Sequence, residues 1–172
     1  GIFQLLARNR RDEAEADLRR AAAAGAQNSV AAPLARILWL RGDYAAAKKL
    51  LTRPDAGAPE QLEYAWMLAA APEPKERNPR KARLLASRLA VALPYPNVLS
   101  VLAQSYAAES DWRGAAQAMS EAEKLLDDQP AERYDRDYYR AFLAMQRRHY
   151  RDRRQDAAPE LAERQLFLVE HR

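Results

Sequence analysis

Residues 110–123 read SDWRGAAQAMSEAE, and this stretch decides the fold because residues 42–51, GDYAAAKKLL, repeat its plan. In both stretches a turn-forming residue is followed five places later by an alanine, Ala115 or Ala47. Nine places after the turn residue comes an apolar side chain. A pattern that returns at so great a distance along one chain indicates an internal repeat.

Two further copies fix the length of the repeat. One begins at Asn9 (NRRDEAEADLRRAA), and the other surrounds Asn78 (RNPRKARLLASRLA). Steps of 33, 35 and 33 residues separate the four repeated alanines, which are Ala14, Ala47, Ala82 and Ala115. A period near 34 is typical of arrays in which one helix-turn-helix unit stacks on the next. Alanine recurs because the two helices of a unit are expected to approach most closely there, and a larger side chain would push them apart.

Each unit also has a first helix upstream of the repeated alanine. Residues 28–43 and 96–111 carry apolar side chains at helical spacing. Ser29 and Asn97 are candidate N-caps of these two helices, and Asn78 followed by proline is a candidate start for a second helix. Gly42 is a candidate stop signal. The chain is therefore predicted to alternate short helices with tight turns.

The combined pattern resembles the tetratricopeptide repeat (TPR) family, in a form seen in bacterial proteins. The matching residues are Ala35, Leu38, Gly42, Ala47 and Leu51 in one copy and Ala103, Tyr106, Ser110, Ala115, Met119 and Ala122 in another. The resemblance implies an all-α, right-handed superhelix, or α-solenoid, of about four repeats. The array would occupy residues 1–130, with approximate repeats at 1–25 (partial), 29–54, 59–93 and 96–128.

Residues 131–172 depart from the repeat and are predicted to close the array. A capping helix is expected where aromatic and apolar residues recur at helical spacing, at Tyr134, Tyr138, Tyr139, Phe142, Leu143 and Met145. An array end would otherwise expose its core. A basic linker then leads to a last short helix that carries Leu161, Leu166 and Leu168.

Composition argues against an enzyme. The chain has no cysteine and two histidines, His149 and His171, which do not have metal-ligand spacing. Its 5 glycines form no phosphate-binding or nucleophile-elbow motif. We therefore expect no catalytic residue, no metal site and no cofactor. No apolar run approaches the roughly 18–20 residues of a membrane-spanning helix. A cysteine-free chain suits the cytoplasm and the periplasm equally.

The TPR resemblance implies that first helices line a concave groove in which a partner segment binds. The candidate partner-binding residues are Arg36, Trp39, Leu40, Trp66, Asn97, Ser100 and Gln104. Trp and Arg are common anchors of protein interfaces, although either tryptophan is equally compatible with core packing. The expected partner is another protein or a segment of a longer polypeptide that contains this chain. Self-association through the N-terminal edge, with Ile2, Phe3, Leu5 and Leu6, is an alternative.

Two further functions stay open. One is a periplasmic scaffold within a bacterial envelope or exopolysaccharide-export system, a setting in which such repeats occur. The other is nucleic-acid binding by a basic patch, which consists of Arg140, Arg147, Arg148, Arg151, Arg153 and Arg154. Arginines interleaved with tyrosines are able to hold phosphates and stack on bases. The more ordinary interpretation of this patch is a solvated helix end or an ionic contact.

Overall fold

The computed structural model describes residues 11–128 and 136–153, and every regular element in them is helical. The helices are α1 (Arg11–Ala21), α2 (Gln27–Leu40), α3 (Tyr44–Leu51), α4 (Ala58–Ala70), α5 (Pro79–Ala92), α6 (Pro96–Ala108), α7 (Trp112–Asp128) and α8 (Arg136–Arg151). The segment Ala22–Ala26 joins α1 to α2 through a kink at Gly25, whose φ is +99°. A 3-10 turn, Pro74–Glu76, lies between α4 and α5. The predicted all-α class is confirmed.

The four repeated alanines lie at the centre of the core, as their spacing predicts. Ala14, Ala47, Ala82 and Ala115 belong to α1, α3, α5 and α7, and each has an exposed fraction of 0%. Helix pairs α2 with α3, α4 with α5 and α6 with α7 pack against each other. A small side chain at these positions allows two backbones to approach, which is why the same residue type returns.

Enlarging one of these alanines is expected to destabilise the fold. Ala115→Leu adds a branched side chain at a point with no accessible space, and overpacking of this kind costs about 1–3 kcal/mol. Ala116→Leu, on the exposed side of the same helix, should change the free energy of unfolding by less than about 0.5 kcal/mol. Urea denaturation followed by circular dichroism measures both. Equal losses in the two variants would mean that Ala115 does not mark a close helix approach.

Helix starts and stops follow the local sequence in part. The side chain of Asn78 caps α5, since its Oδ1 accepts a hydrogen bond of 3.0 Å from the Lys81 amide. Gly42 ends α2 with φ of +84°, a conformation that favours glycine. Ser29 and Asn97 are not N-caps. Helix α2 begins at Gln27, just after the kink at Gly25, so Ser29 lies inside its first turn. Pro96 takes the first position of α6, which leaves Asn97 in the first turn.

The helices pack in chain order. All the extensive helix contacts in the described chain join elements one or two places apart, such as α2 with α3 and α2 with α4. Short connections make successive helices antiparallel. Helices α2 and α4 run in the same direction, since the contacts Arg36–Glu63 and Trp39–Trp66 both join residues that are 27 apart. A constant difference in residue number is the mark of parallel neighbours.

Helix α8 is the last helix of the described chain. It packs against α7, and it buries Tyr139, Phe142 and Leu143, three of the residues predicted for a capping helix. Met145 is half-buried against the core. The other predicted features of the two ends, namely Tyr134, the Tyr138 side chain, the final helix with Leu161, Leu166 and Leu168, and the N-terminal edge with Ile2, Phe3, Leu5 and Leu6, lie outside the described residues.

Candidate binding surface

An ion pair between α2 and α4 includes Arg36, one of the predicted partner-binding residues. Arg36 Nε and Nη2 donate to the two carboxylate oxygens of Glu63, which gives the forked geometry favoured by guanidinium and carboxylate. The two side chains keep only 7% and 12% of their accessible surface. Desolvated pairs of this kind tie two helices together, because separating them leaves a buried charge.

A series of ring contacts extends from this ion pair through Trp66 and Trp39 to Tyr44. The Arg36 guanidinium carbon lies 3.8 Å from the centroid of the Trp66 ring, within range of a cation–π interaction. The Trp39 ring lies 4.7 Å from Trp66 and 6.0 Å from Tyr44. Trp66 is fully buried, and its indole Nε1 has no hydrogen-bond acceptor. Both tryptophans therefore serve the α2–α4 contact through packing.

A second buried network joins α6 to α8. The Ser100 hydroxyl donates to Gln146 Oε1 at 2.7 Å, and the Tyr150 hydroxyl donates to Gln104 Oε1 at 2.7 Å. Gln146 Nε2 donates to the Tyr150 hydroxyl at 2.6 Å and to the Ser100 carbonyl at 3.3 Å. We call Ser100, Gln104, Gln146 and Tyr150 the polar quartet. All four side chains are buried, and each contact from α6 to α8 spans 46 residues.

These contacts decide which predicted partner-binding residues are accessible. Asn97 is exposed and Leu40 is half-buried, whereas the other five are buried: Arg36, Trp39, Trp66, Ser100 and Gln104. The structure brings Arg36, Trp39 and Trp66 together in one cluster. It places Ser100 and Gln104 beneath α8. Five of the seven therefore contact helices of this chain, where an open groove had been expected.

Three polar participants were absent from the predicted partner-binding residues. Glu63, Gln146 and Tyr150 complete the buried ion pair and the polar quartet. Gln146 carried a usable signal, because it lies at helical spacing from Tyr139, Phe142, Leu143 and Tyr150 on an otherwise apolar face. A polar side chain on such a face requires a hydrogen-bonding partner once it is buried.

Several arginines of the basic patch are engaged with carboxylates. Arg140 pairs with Asp127 of α7 at 2.7 Å, and this hydrogen bond raises the pKa of Arg140 above its ordinary value. Arg147 pairs with Glu123 of α7 at 2.9 Å, and Arg151 pairs with its neighbour Asp152. Arg148 and Arg153 are exposed, and Arg154 lies outside the described residues. Arg140 and Arg147 thus attach α8 to α7, which reduces the charge available to phosphates.

Within residues 11–128 and 136–153, no group of three or more His, Asp or Glu side chains is arranged to hold a metal ion. The described helices include none with the length and apolar character needed to cross a membrane.

Comparisons with known proteins do not assign this chain to a family, since no family model, curated protein or solved structure matches it.

Proposed function

We propose that the chain is a non-catalytic protein-interaction module, a TPR-like α-solenoid that acts as an assembly scaffold for a segment of another protein. One observation carries the proposal: helices pack in chain order, each on neighbours one or two places away. An array of this kind grows in one direction and presents successive helices side by side, which gives an extended surface for a partner.

The proposed partner lies along the first helices, at their accessible positions. Leu40, at the end of α2, is half-buried, and Asn97, in the first turn of α6, is exposed. Arg36, Trp39 and Trp66 support this surface from below by fixing α2 against α4. Because α2 and α4 are held in place before a partner binds, binding loses less conformational entropy.

Site-specific photocrosslinking tests this proposal. We expect a photoreactive amino acid at Leu40 or Asn97 to crosslink one protein in cells that express the chain. The same amino acid at Ala116, an exposed residue of α7, is the matched control. The crosslinked protein is then purified, and its affinity is measured by calorimetry against wild type and Asn97→Arg. The proposal fails if only the Ala116 position crosslinks, or if Asn97→Arg leaves the affinity unchanged.

A further inference from the structure

Helix α5 presents an accessible stripe that the core does not use. Its buried residues Ala82, Ala86 and Leu89 lie on one side. At 3.6 residues per turn, Arg80, Leu84, Arg88 and Val91 lie on the opposite side. We call these four residues the α5 stripe. It extends about 16 Å along the helix, at 1.5 Å per residue.

The two apolar residues of the stripe are highly exposed to solvent. Leu84 is 52% exposed and Val91 is 88% exposed, and they are the exposed large apolar side chains of the described chain. They are seven residues apart, which is two helical turns and the spacing at which one helix packs along another. A stripe with this period fits a helical partner.

The charged members of the stripe specify the chemistry of that partner. Arg80 and Arg88 are exposed, and within the described residues neither forms an ion pair. The other two cations of α5 are engaged, since Arg83 pairs with Glu109 at 2.6 Å and Lys81 lies 5.0 Å from the centroid of Tyr64. Helix α5 contains no aspartate or glutamate. The positive electrostatic potential along α5 therefore favours a partner with carboxylate side chains.

From these observations we propose that the α5 stripe docks an acidic amphipathic helix of a partner protein. The partner helix carries aliphatic side chains seven residues apart, which cover Leu84 and Val91, and flanking carboxylates that pair with Arg80 and Arg88. Flanking charges of this kind select partner and orientation in paired helices. The inference rests on the proposed scaffold function and adds a second surface to it, on a second helix.

Other occupants fit less well. A second copy of this chain docked through its own stripe would place arginine against arginine, which is repulsive. A lipid surface is bound by helices with a broad apolar face that includes aromatic side chains, whereas this stripe offers two aliphatic ones. A nucleic acid would pair its phosphates with Arg80 and Arg88, but it would leave the exposed Leu84 and Val91 uncovered, and the stripe has no aromatic side chain on which bases stack.

A pair of synthetic peptides tests the proposal on the full chain. Each is about 20 residues long, so that it is able to form a helix, and each carries leucine at every seventh position. One has glutamate at the flanking positions, and the other has lysine. Fluorescence anisotropy measures their affinity for wild type and for Arg80→Glu/Arg88→Glu. Arg113→Glu/Lys124→Glu, which changes two exposed cations of α7, is the control with the same change in net charge.

We expect wild type to bind the glutamate peptide and to discriminate against the lysine peptide. Arg80→Glu/Arg88→Glu should bind the glutamate peptide at least tenfold more weakly and bind the lysine peptide more tightly than wild type does. The α7 variant should behave as wild type. Equal losses in both variants would show attraction by net charge alone and would overturn the proposal, as would a wild type that binds neither peptide. The crosslinking experiment at Leu40 and Asn97 does not involve α5. Its result tests the proposed scaffold function, and the peptide experiment tests the α5 stripe, so one proposal can be overturned while the other stands.

Discussion

Arg36→Ala is expected to lower the free energy of unfolding by about 3–5 kcal/mol, the cost of breaking a buried ion pair by removing one partner. The substitution leaves the Glu63 carboxylate in a site where only 12% of its side chain is accessible. It also removes the cation that lies over the Trp66 ring. Urea denaturation followed by circular dichroism at 222 nm measures the loss.

A surface ion pair provides the control for this measurement. Arg20 pairs with Asp17 within α1, and their side chains keep 77% and 30% of their accessible surface. Arg20→Ala should cost less than about 1 kcal/mol, because water screens exposed pairs. The comparison separates the effect of burial from the loss of an arginine.

A double substitution distinguishes the net contribution of the pair from the penalty of an orphaned charge. Arg36→Met/Glu63→Leu replaces both partners by apolar side chains, and we expect it to be more stable than Arg36→Ala. If Arg36→Ala costs less than about 1 kcal/mol, the pair is solvated and our account of the α2–α4 contact is wrong. If the double variant is as unstable as the single one, the loss comes from packing around Trp66.

Local features of the fold were predictable because they depend on residues close together in the chain. The recurring alanines, the Asn78 cap and the glycine stop at Gly42 each act within one helix pair. A steric constraint that acts within one helix pair selects the same residue type in every pair, so it appears in the sequence as a repeat. The face of α8 that carries Tyr139 and Phe142 was predictable for the same reason.

Whether the predicted binding residues are accessible depends on contacts between residues far apart in the chain, and a local sequence pattern does not show these contacts. Whether Trp39 is core or surface is decided by Trp66, which lies 27 residues further on. Ser100 and Gln104 have the polarity of groove residues, yet α8 covers them, and the partners that satisfy them lie 46 residues away. The sequence shows that a polar side chain needs a partner, but it does not show whether that partner is water, another protein or a later helix.

After the Arg36–Glu63 pair, the polar quartet should be the site where a single substitution lowers the free energy of unfolding most. Gln146→Leu keeps the approximate size of the side chain, but it leaves the Ser100 hydroxyl without its acceptor and removes a donor to Tyr150. A buried polar group that loses its partner costs about 1–3 kcal/mol. With two groups affected, we expect a loss of about 2–4 kcal/mol, measured by urea denaturation. Gln117→Leu, on the exposed side of α7, is the control and should be nearly neutral.

Hydrogen exchange locates where the stability is lost. In Gln146→Leu, amides of α8 should exchange faster through local opening, while those of α4 should follow global unfolding alone. Uniform acceleration along the chain would contradict a role confined to the α6–α8 contact, and unchanged exchange would show that the quartet does not hold α8.

Converting the whole quartet to apolar side chains separates stability from specificity. Ser100→Ala/Gln104→Leu/Gln146→Leu/Tyr150→Phe removes every buried polar group together, so we expect it to recover most of the stability lost in Gln146→Leu. The hydrogen bonds determine which residues of α6 and α8 face each other, since each bond joins side chains 46 residues apart. Apolar contacts alone would tolerate a shift of α8 by one helical turn along α6. A disulfide engineered between α6 and α8 in the wild-type register should therefore form less completely in the apolar variant. Equal yields would mean that packing alone determines where α8 lies.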